Sequence, residues 1–167
     1  VGLYRSEFIF LSNPKLMPTE QDHAEMYSSM VRIAGGRPIN MRTVDLGGEK
    51  NLESLEIAQE PNPALGLRAV RYGLQRKSIF KAQLRGALRA SVEGNLRIMI
   101  PMISGIGELR QVRALLEECQ IDLAKEGVPV AEEIPFGVMI EVPSAGIVAD
   151  IIAREADFVS VGTNDLI

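Results

Sequence analysis

Nine consecutive residues, Arg42-Thr43-Val44-Asp45-Leu46-Gly47-Gly48-Glu49-Lys50, gather two cations, two carboxylates and a glycine pair. They follow an apolar run, Pro38-Ile39-Asn40-Met41, that reads as a strand. The charged groups therefore fall where a strand ends, and α/β proteins bind ligands outside the carboxyl ends of their strands. Arginine offers a planar fork of donors suited to phosphate or carboxylate. Paired glycines let the backbone turn sharply or approach a ligand closely. The same nine residues would also make a solvated turn with a surface ion pair, and alone they do not choose between the two.

Other charged residues sit at comparable places. Arg5 and Glu7 interrupt the apolar run Val1–Phe10, and Glu141 closes the run Phe136–Val142. Asn164 and Asp165 end the run that starts at Asp157, and Arg68 and Arg71 flank a loop–helix junction. Two carboxylates with several arginines suit a hard divalent cation and an anionic substrate. Mg²⁺ takes one or two carboxylates together with substrate oxygens, and arginines neutralise phosphate charge. A buried carboxylate such as Glu141 needs a partner or a metal; escape to solvent at the strand end is the plainer alternative. No HExxH, CxxC or Walker A sequence is present. His23, the single histidine, falls on the first helix and reads as a surface residue, with phosphoryl relay as the alternative.

The elements that must position these groups alternate. Val1–Phe10 begins as a strand. Thr19 with Asp22 forms a capping box, Met26, Met30 and Ile33 follow at helical spacing, and Gly35-Gly36 ends that helix. Residues 51–64 read as a loop fixed by Pro61-Asn62-Pro63. A helix over 79–91 puts Phe80, Leu84, Ala87 and Leu88 on one face. Leu96–Ile103 is a buried strand that ends near Pro101. Leu109, Val112, Leu116, Cys119 and Leu123 mark a long amphipathic helix, and Cys119 in that stripe reads as core packing rather than a nucleophile. Phe136–Pro143 is the next strand. A helix opening at Ser144 carries Val148, Ile151 and Ile152, and Asp157–Asp165 is the last strand. Five strands alternating with four helical segments predict a parallel sheet with right-handed crossovers. Arg5, Arg42, Asp45, Glu141 and Asp165 then converge at the carboxyl face. Periodicity leaves an open sheet and a closed barrel equally allowed.

Composition bounds the function. The 167 residues suffice for a single domain, 1–167, with a sizeable core. A net charge of −4, 5% aromatic residues and no Trp argue against a nucleic-acid surface. One cysteine excludes an internal disulfide and fits a reducing compartment. No apolar run approaches a membrane span, and no signal peptide is visible. The chain opens inside one strand and stops after another, so it reads as a segment of a longer protein.

Six blocks in order then become specific: Gly2–Phe8, Arg42–Lys50, Asn62–Arg68, Ile100–Met102, Gly137–Pro143 and Gly162–Leu166. Together they resemble the phosphoenolpyruvate-binding domain of the enzyme I family of the sugar phosphotransferase system. The resemblance spans essentially the whole chain. It implies a parallel (β/α)8 TIM-type barrel, incomplete in this segment, and cytoplasmic phosphoryl transfer from phosphoenolpyruvate (PEP), with pyruvate released. It implies Mg²⁺ on Glu141 and Asp165, with Asp165 also near substrate. Arg5 and Arg42 would hold the phosphoryl group, Arg68 the carboxylate or enolate end, and Asn164 would position the phosphoryl group. Asp45 and Lys50 would support the arginines. Implied partners are a phosphohistidine domain on the N-terminal side, a downstream phosphocarrier protein and a second copy of the chain. The family's phosphorylated histidine and its protonating cysteine have no counterpart here, and Cys119 does not match the latter. Alternatives are a relative of pyruvate phosphate dikinase or PEP synthase, a lyase of the same superfamily, or a ligand-binding or dimerisation segment inactive alone. Arg42, at the solvent-facing end of its strand, is expected to matter for catalysis and little for folding.

Overall fold

All strand pairings are parallel and run in sequence order, β1-β2-β3-β4-β5. In this computed structural model, residues 2–12, 17–46 and 66–166 are described. The strands are β1 (Leu3–Arg5), β2 (Ile39–Arg42), β3 (Leu96–Ile100), β4 (Phe136–Ile140) and β5 (Phe158–Val161). The helices are α1 (Glu7–Ser12), α2 (Glu20–Ala34), α3 (Val70–Gln75), α4 (Lys77–Ala90), α5 (Ile106–Lys125), α6 (Pro143–Ile147) and α7 (Ala149–Ala153). No helix among the described residues is long and apolar enough to cross a membrane.

Helices cover one face of the sheet. Met41, Ile98, Ile100, Val138 and Ile140 point into a core shared with Leu84 and Leu88 of α4 and with Leu109, Val112, Leu116, Cys119 and Leu123 of α5. Each fully buried aliphatic side chain contributes about 1.5–3 kcal/mol relative to exposure. Register pairs Arg5 with Arg42, and Arg42 with Met99. These three residues therefore share the other face, because side chains across a ladder point the same way. The outer edge of β5 carries Val159 and Val161, both exposed.

Local chemistry explains most boundaries. Thr19 caps α2: its hydroxyl accepts from the Asp22 N–H at 3.2 Å, and the Asp22 carboxylate accepts from the Thr19 N–H at 2.8 Å. Gly35, at φ 58°, closes α2 in the left-handed conformation that glycine adopts without penalty. The buried face of α2 is His23, Ala24, Tyr27, Val31 and Ala34. The expected stripe lies to one side of it: Met26 and Met30 are only partly buried and Ile33 is exposed.

Three further expectations change. The first strand stops at Arg5, because the Ser6 carbonyl accepts from Ile9 N–H at 3.2 Å and turns the chain into α1. Ile9 and Phe10 then join Val44, Leu46 and Tyr72 in a second apolar cluster. The single helix expected from Ser144 is two five-residue helices meeting at Val148. α4 begins at Lys77 and is preceded by α3, a separate short helix. The loop at 51–64, Gly47-Gly48 and Lys50 lie outside the described residues.

Candidate functional site

β1 and β2 end side by side, and an ion-pair network follows from that. Arg42 is 6% exposed. Its guanidinium pairs with the buried carboxylate of Glu7, and its Nη2 lies 3.5 Å from Asp45 Oδ2. Asp45 mainly serves Arg68, which reaches it in a two-pronged contact: Nε to Oδ1 at 2.8 Å and Nη2 to Oδ2 at 3.0 Å. Arg68 Nη1 donates to Asp165 Oδ1 at 3.1 Å. The Asp45 carboxylate, acting by hydrogen bonds, pushes the Arg68 guanidinium pKa up, so Arg68 stays charged. Among the described residues Arg5 pairs with no carboxylate; it is exposed at the end of β1.

The carboxylates come from β4 and β5. Glu141 directly follows β4 and is 3% exposed. Its Oε1 accepts from the Met102 N–H at 2.7 Å. Met102 follows Pro101 and sits at φ 59°, a left-handed conformation that costs a side chain about 1–3 kcal/mol. That backbone aims its N–H at the carboxylate. Burial raises the Glu141 pKa; the Asp45 and Asp165 charges add to the rise, while the Met102 hydrogen bond and Arg42 oppose it. Gly162 faces the same group: a Cβ there would stand 2.9 Å from Glu141 Oε2. The glycine therefore leaves that oxygen room toward the cavity.

These groups line one cavity of about 250 Å³. Its walls include Arg5, Arg42, Asp45, Arg68, Glu141, Asn164 and Asp165. The structure thus brings together every sequence-derived site residue except Lys50, which is not described. Glu141 and Asp165 both face it, and each keeps an oxygen outside the contacts above, an arrangement able to hold a hard divalent cation with substrate oxygens. No group of three or more His, Cys, Asp or Glu able to hold a metal occurs among the described residues, so oxygens from elsewhere would have to complete such a site. A larger cavity, about 550 Å³, opens at the amino ends of β4 and β5. It sets one cation, Arg113, against Glu117, Glu132, Glu133 and Asp157, which disfavours an anionic ligand.

His23 corrects the sequence reading. It is fully buried on α2, not at the surface, and its Nδ1 lies 3.0 Å from the Tyr27 hydroxyl. Desolvation lowers its pKa to about 4, so the ring is neutral. Burial there serves helix packing: Gly86 of α4 lets the His23 side chain approach, since a Cβ on Gly86 would stand 2.4 Å from His23 Cβ. Cys119 is fully buried in α5 as expected, and burial pushes its thiol up to about 11. Arg42 is also corrected: it is buried in an ion pair rather than solvent-facing, so it contributes to folding as well.

Glu7 was grouped with the strand-end charges but not as the partner of Arg42, and Ser6 and Gln83 were missed. The turn at Ser6, which starts α1 at Glu7, is not visible in an apolar run. Gln83 occupies a fully buried place on α4, and the only sequence signal is its position one residue before Leu84 on the apolar face.

Comparison with known proteins adds an independent line. A family model described as "PEP-utilising enzyme, PEP-binding domain" matches residues 1–167. Curated relatives called phosphoenolpyruvate-protein phosphotransferase include those of Priestia megaterium and Staphylococcus carnosus, each 47% identical over 167 residues, and of Staphylococcus aureus, 44% identical. All of this chain is covered in each case, and the chain spans 29% of each relative's length.

Proposed function

This chain belongs to the family of PEP-utilising enzymes, matched over their PEP-binding domain, and on that premise we propose that it supplies the PEP-binding, phosphoryl-donating site of a phosphoenolpyruvate–protein phosphotransferase. The observation that carries the reading is the cavity where Arg5, Arg42, Arg68, Glu141, Asn164 and Asp165 meet at the strand ends. Arg5 and Arg42 hold the phosphoryl group. Arg68, fixed by Asp45, meets the carboxylate or enolate end. Asn164 positions the phosphoryl oxygens, and Lys50 supports the arginines. Glu7 takes a part of the supporting role first given to Asp45, by fixing Arg42.

Charge balance supports a cation. The three arginines of the cavity face three carboxylates, Asp45, Glu141 and Asp165. The walls alone therefore offer no net positive charge to a ligand carrying a phosphate and a carboxylate. Glu141 and Asp165 would hold Mg²⁺, which offsets the charge on phosphoryl and enolate oxygens. The arginines supply preorganised donors that need no rearrangement as charge shifts. In the transfer, the bond from phosphorus to the enol oxygen breaks and a histidine nitrogen on a separate N-terminal domain takes the phosphoryl group. Protonation of the enolate carbon gives pyruvate, and the acid is not Cys119, which is sealed in α5.

The same reading makes residues 1–167 one domain of a (β/α)8 barrel whose remaining strands lie elsewhere in a longer protein. It also makes that protein a cytoplasmic homodimer that feeds a downstream phosphocarrier of the sugar phosphotransferase system. The test is transfer from labelled PEP to the full-length protein. Arg5→Ala should cut the rate about 100-fold or more without lowering the melting temperature, since Arg5 is exposed. Wild-type transfer by that variant would remove Arg5 from the site.

A further inference from the structure

We propose that Gln83 is a positioning residue: its buried amide ties the end of β1 to the end of β2 so that Arg5 and Arg42 face one ligand. The proposal rests on the PEP reading for what the ligand is. The ladder between β1 and β2 ends at the pair Arg5–Arg42. Beyond it, Gln83 provides a cross-connection. Its Oε1 accepts from the Val44 N–H at 3.0 Å, and its Nε2 donates to Ser6 Oγ at 2.9 Å. Ser6 follows Arg5, and Val44 stands between Arg42 and Asp45. A third contact, Nε2 to the Tyr27 hydroxyl at 3.0 Å, anchors the amide to α2.

The orientation of the amide is dictated. A backbone N–H can only donate, so it must face the amide oxygen, and the NH₂ is left for the two hydroxyls. All three contacts are needed, because an unpaired buried amide carries a desolvation penalty. Packing alone would be served by a leucine, as at the neighbouring Leu84. The helix itself is held at close range by the approach of Gly86 to His23, so the amide cannot follow the strand ends if they drift. Gln83 thus acts on the arginines through Ser6 and Val44 and does not touch the ligand.

Three variants of the full-length protein test this. Gln83→Met keeps the volume and removes both hydrogen-bonding functions. Ser6→Ala severs the β1 arm, with the Ser6–Tyr27 contact, and leaves the Val44 arm in place. Tyr27→Phe severs the α2 arm, together with the hydroxyl's contacts to Ser6 and His23, and leaves the Val44 arm in place. Gln83→Met should raise the KM for PEP about tenfold or more, as expected for misplaced binding groups, and should speed hydrogen exchange at the Val44 amide. Ser6→Ala should raise KM with Val44 exchange unchanged. Tyr27→Phe should lower the melting temperature, leave Val44 exchange at its wild-type value and raise KM far less than Gln83→Met does. Wild-type KM in Gln83→Met, or in Ser6→Ala if Gln83→Met does not fold, would overturn the proposal. So would a Tyr27→Phe variant whose KM rises as far as that of Gln83→Met, because softening of the core would then explain both. Arg42→Ala separates the two readings. If it leaves PEP use unchanged, the substrate reading fails, and Val44 exchange, which needs no substrate, decides the positioning role alone.

Discussion

Arg42 answers to two partners at once. Its guanidinium closes a buried pair with Glu7, and the same group lines the cavity. Lysine would keep the charge but lose the planar fork. Arg42→Lys in the full-length protein should slow phosphoryl transfer from PEP by about 100-fold or more, the worth of roughly 3 kcal/mol from one preorganised donor. It should also lower the melting temperature, because one ammonium cannot meet both Glu7 and Asp45. Rapid-quench transfer and a melting curve read the two effects; wild-type transfer would reduce Arg42 to a structural ion pair. Glu141 shows the opposite trade. Its pKa is raised mainly by burial, so the folded state holds its proton more tightly than the unfolded state. Above the unfolded pKa its ionisation therefore works against folding, and below that pKa the handicap disappears. Glu141→Gln, which still accepts from Met102 N–H, should melt higher than wild type at pH 7 and abolish PEP turnover. The stability advantage should fade on acidification through the ordinary carboxylate range. A lower melting temperature at pH 7 would contradict this account of the charge.

At the scale of elements, α2 and α4 act as a rigid back plate for the strand ends, and His23 is part of the seam. Its folded pKa, about 4, lies below its unfolded value of about 6.5. The unfolded chain therefore binds the extra proton first, and stability present above pH 6.5 is lost as pH falls toward 4. By pH 5 the loss should be about 2 kcal/mol. His23→Gln should flatten the stability profile between pH 7 and 5; an unchanged profile would place the acid sensitivity elsewhere. In α5, Cys119 should resist a thiol reagent in the folded protein, since a thiolate is needed for reaction and burial disfavours it. Rapid labelling under native conditions would contradict that packing. The α5 stripe, the α2 capping box and the strand end at Pro101 were legible because each is written in local spacing. The turn at Ser6 and the polar anchor at Gln83 were not. The first is a local bend that an apolar run does not announce; Gln83 meets Ser6 and Val44, far away in sequence, and its place on the apolar face does not say which polar groups it meets. His23 misled for a related reason, because a glycine on another helix makes room for it.

Across the whole molecule, parallel strand order turns residues distant in sequence into neighbours, which is why strand-end charges could be grouped from sequence before any distance was known. The contacts among them could not. Asp45 holds Arg68 more closely than Arg42, and pairing of that kind is set by loop geometry after the strands end. The exposed Val159 and Val161 on the edge strand β5 fit a sheet that continues in the full-length protein, since open apolar edges invite pairing. Amides of residues 158–161 should exchange at least about tenfold more slowly in the full-length protein than in the 167-residue chain; equal rates would argue against a further strand there. The central claim, that Glu141 and Asp165 share a cation that completes a PEP site among the arginines, is tested most directly by calorimetry of PEP binding to the full-length protein. The account predicts binding with Mg²⁺ present, none after chelation, and none in Glu141→Ala or Asp165→Ala at any Mg²⁺ concentration. PEP binding of wild-type strength in either variant, or in the wild type after chelation, would contradict it.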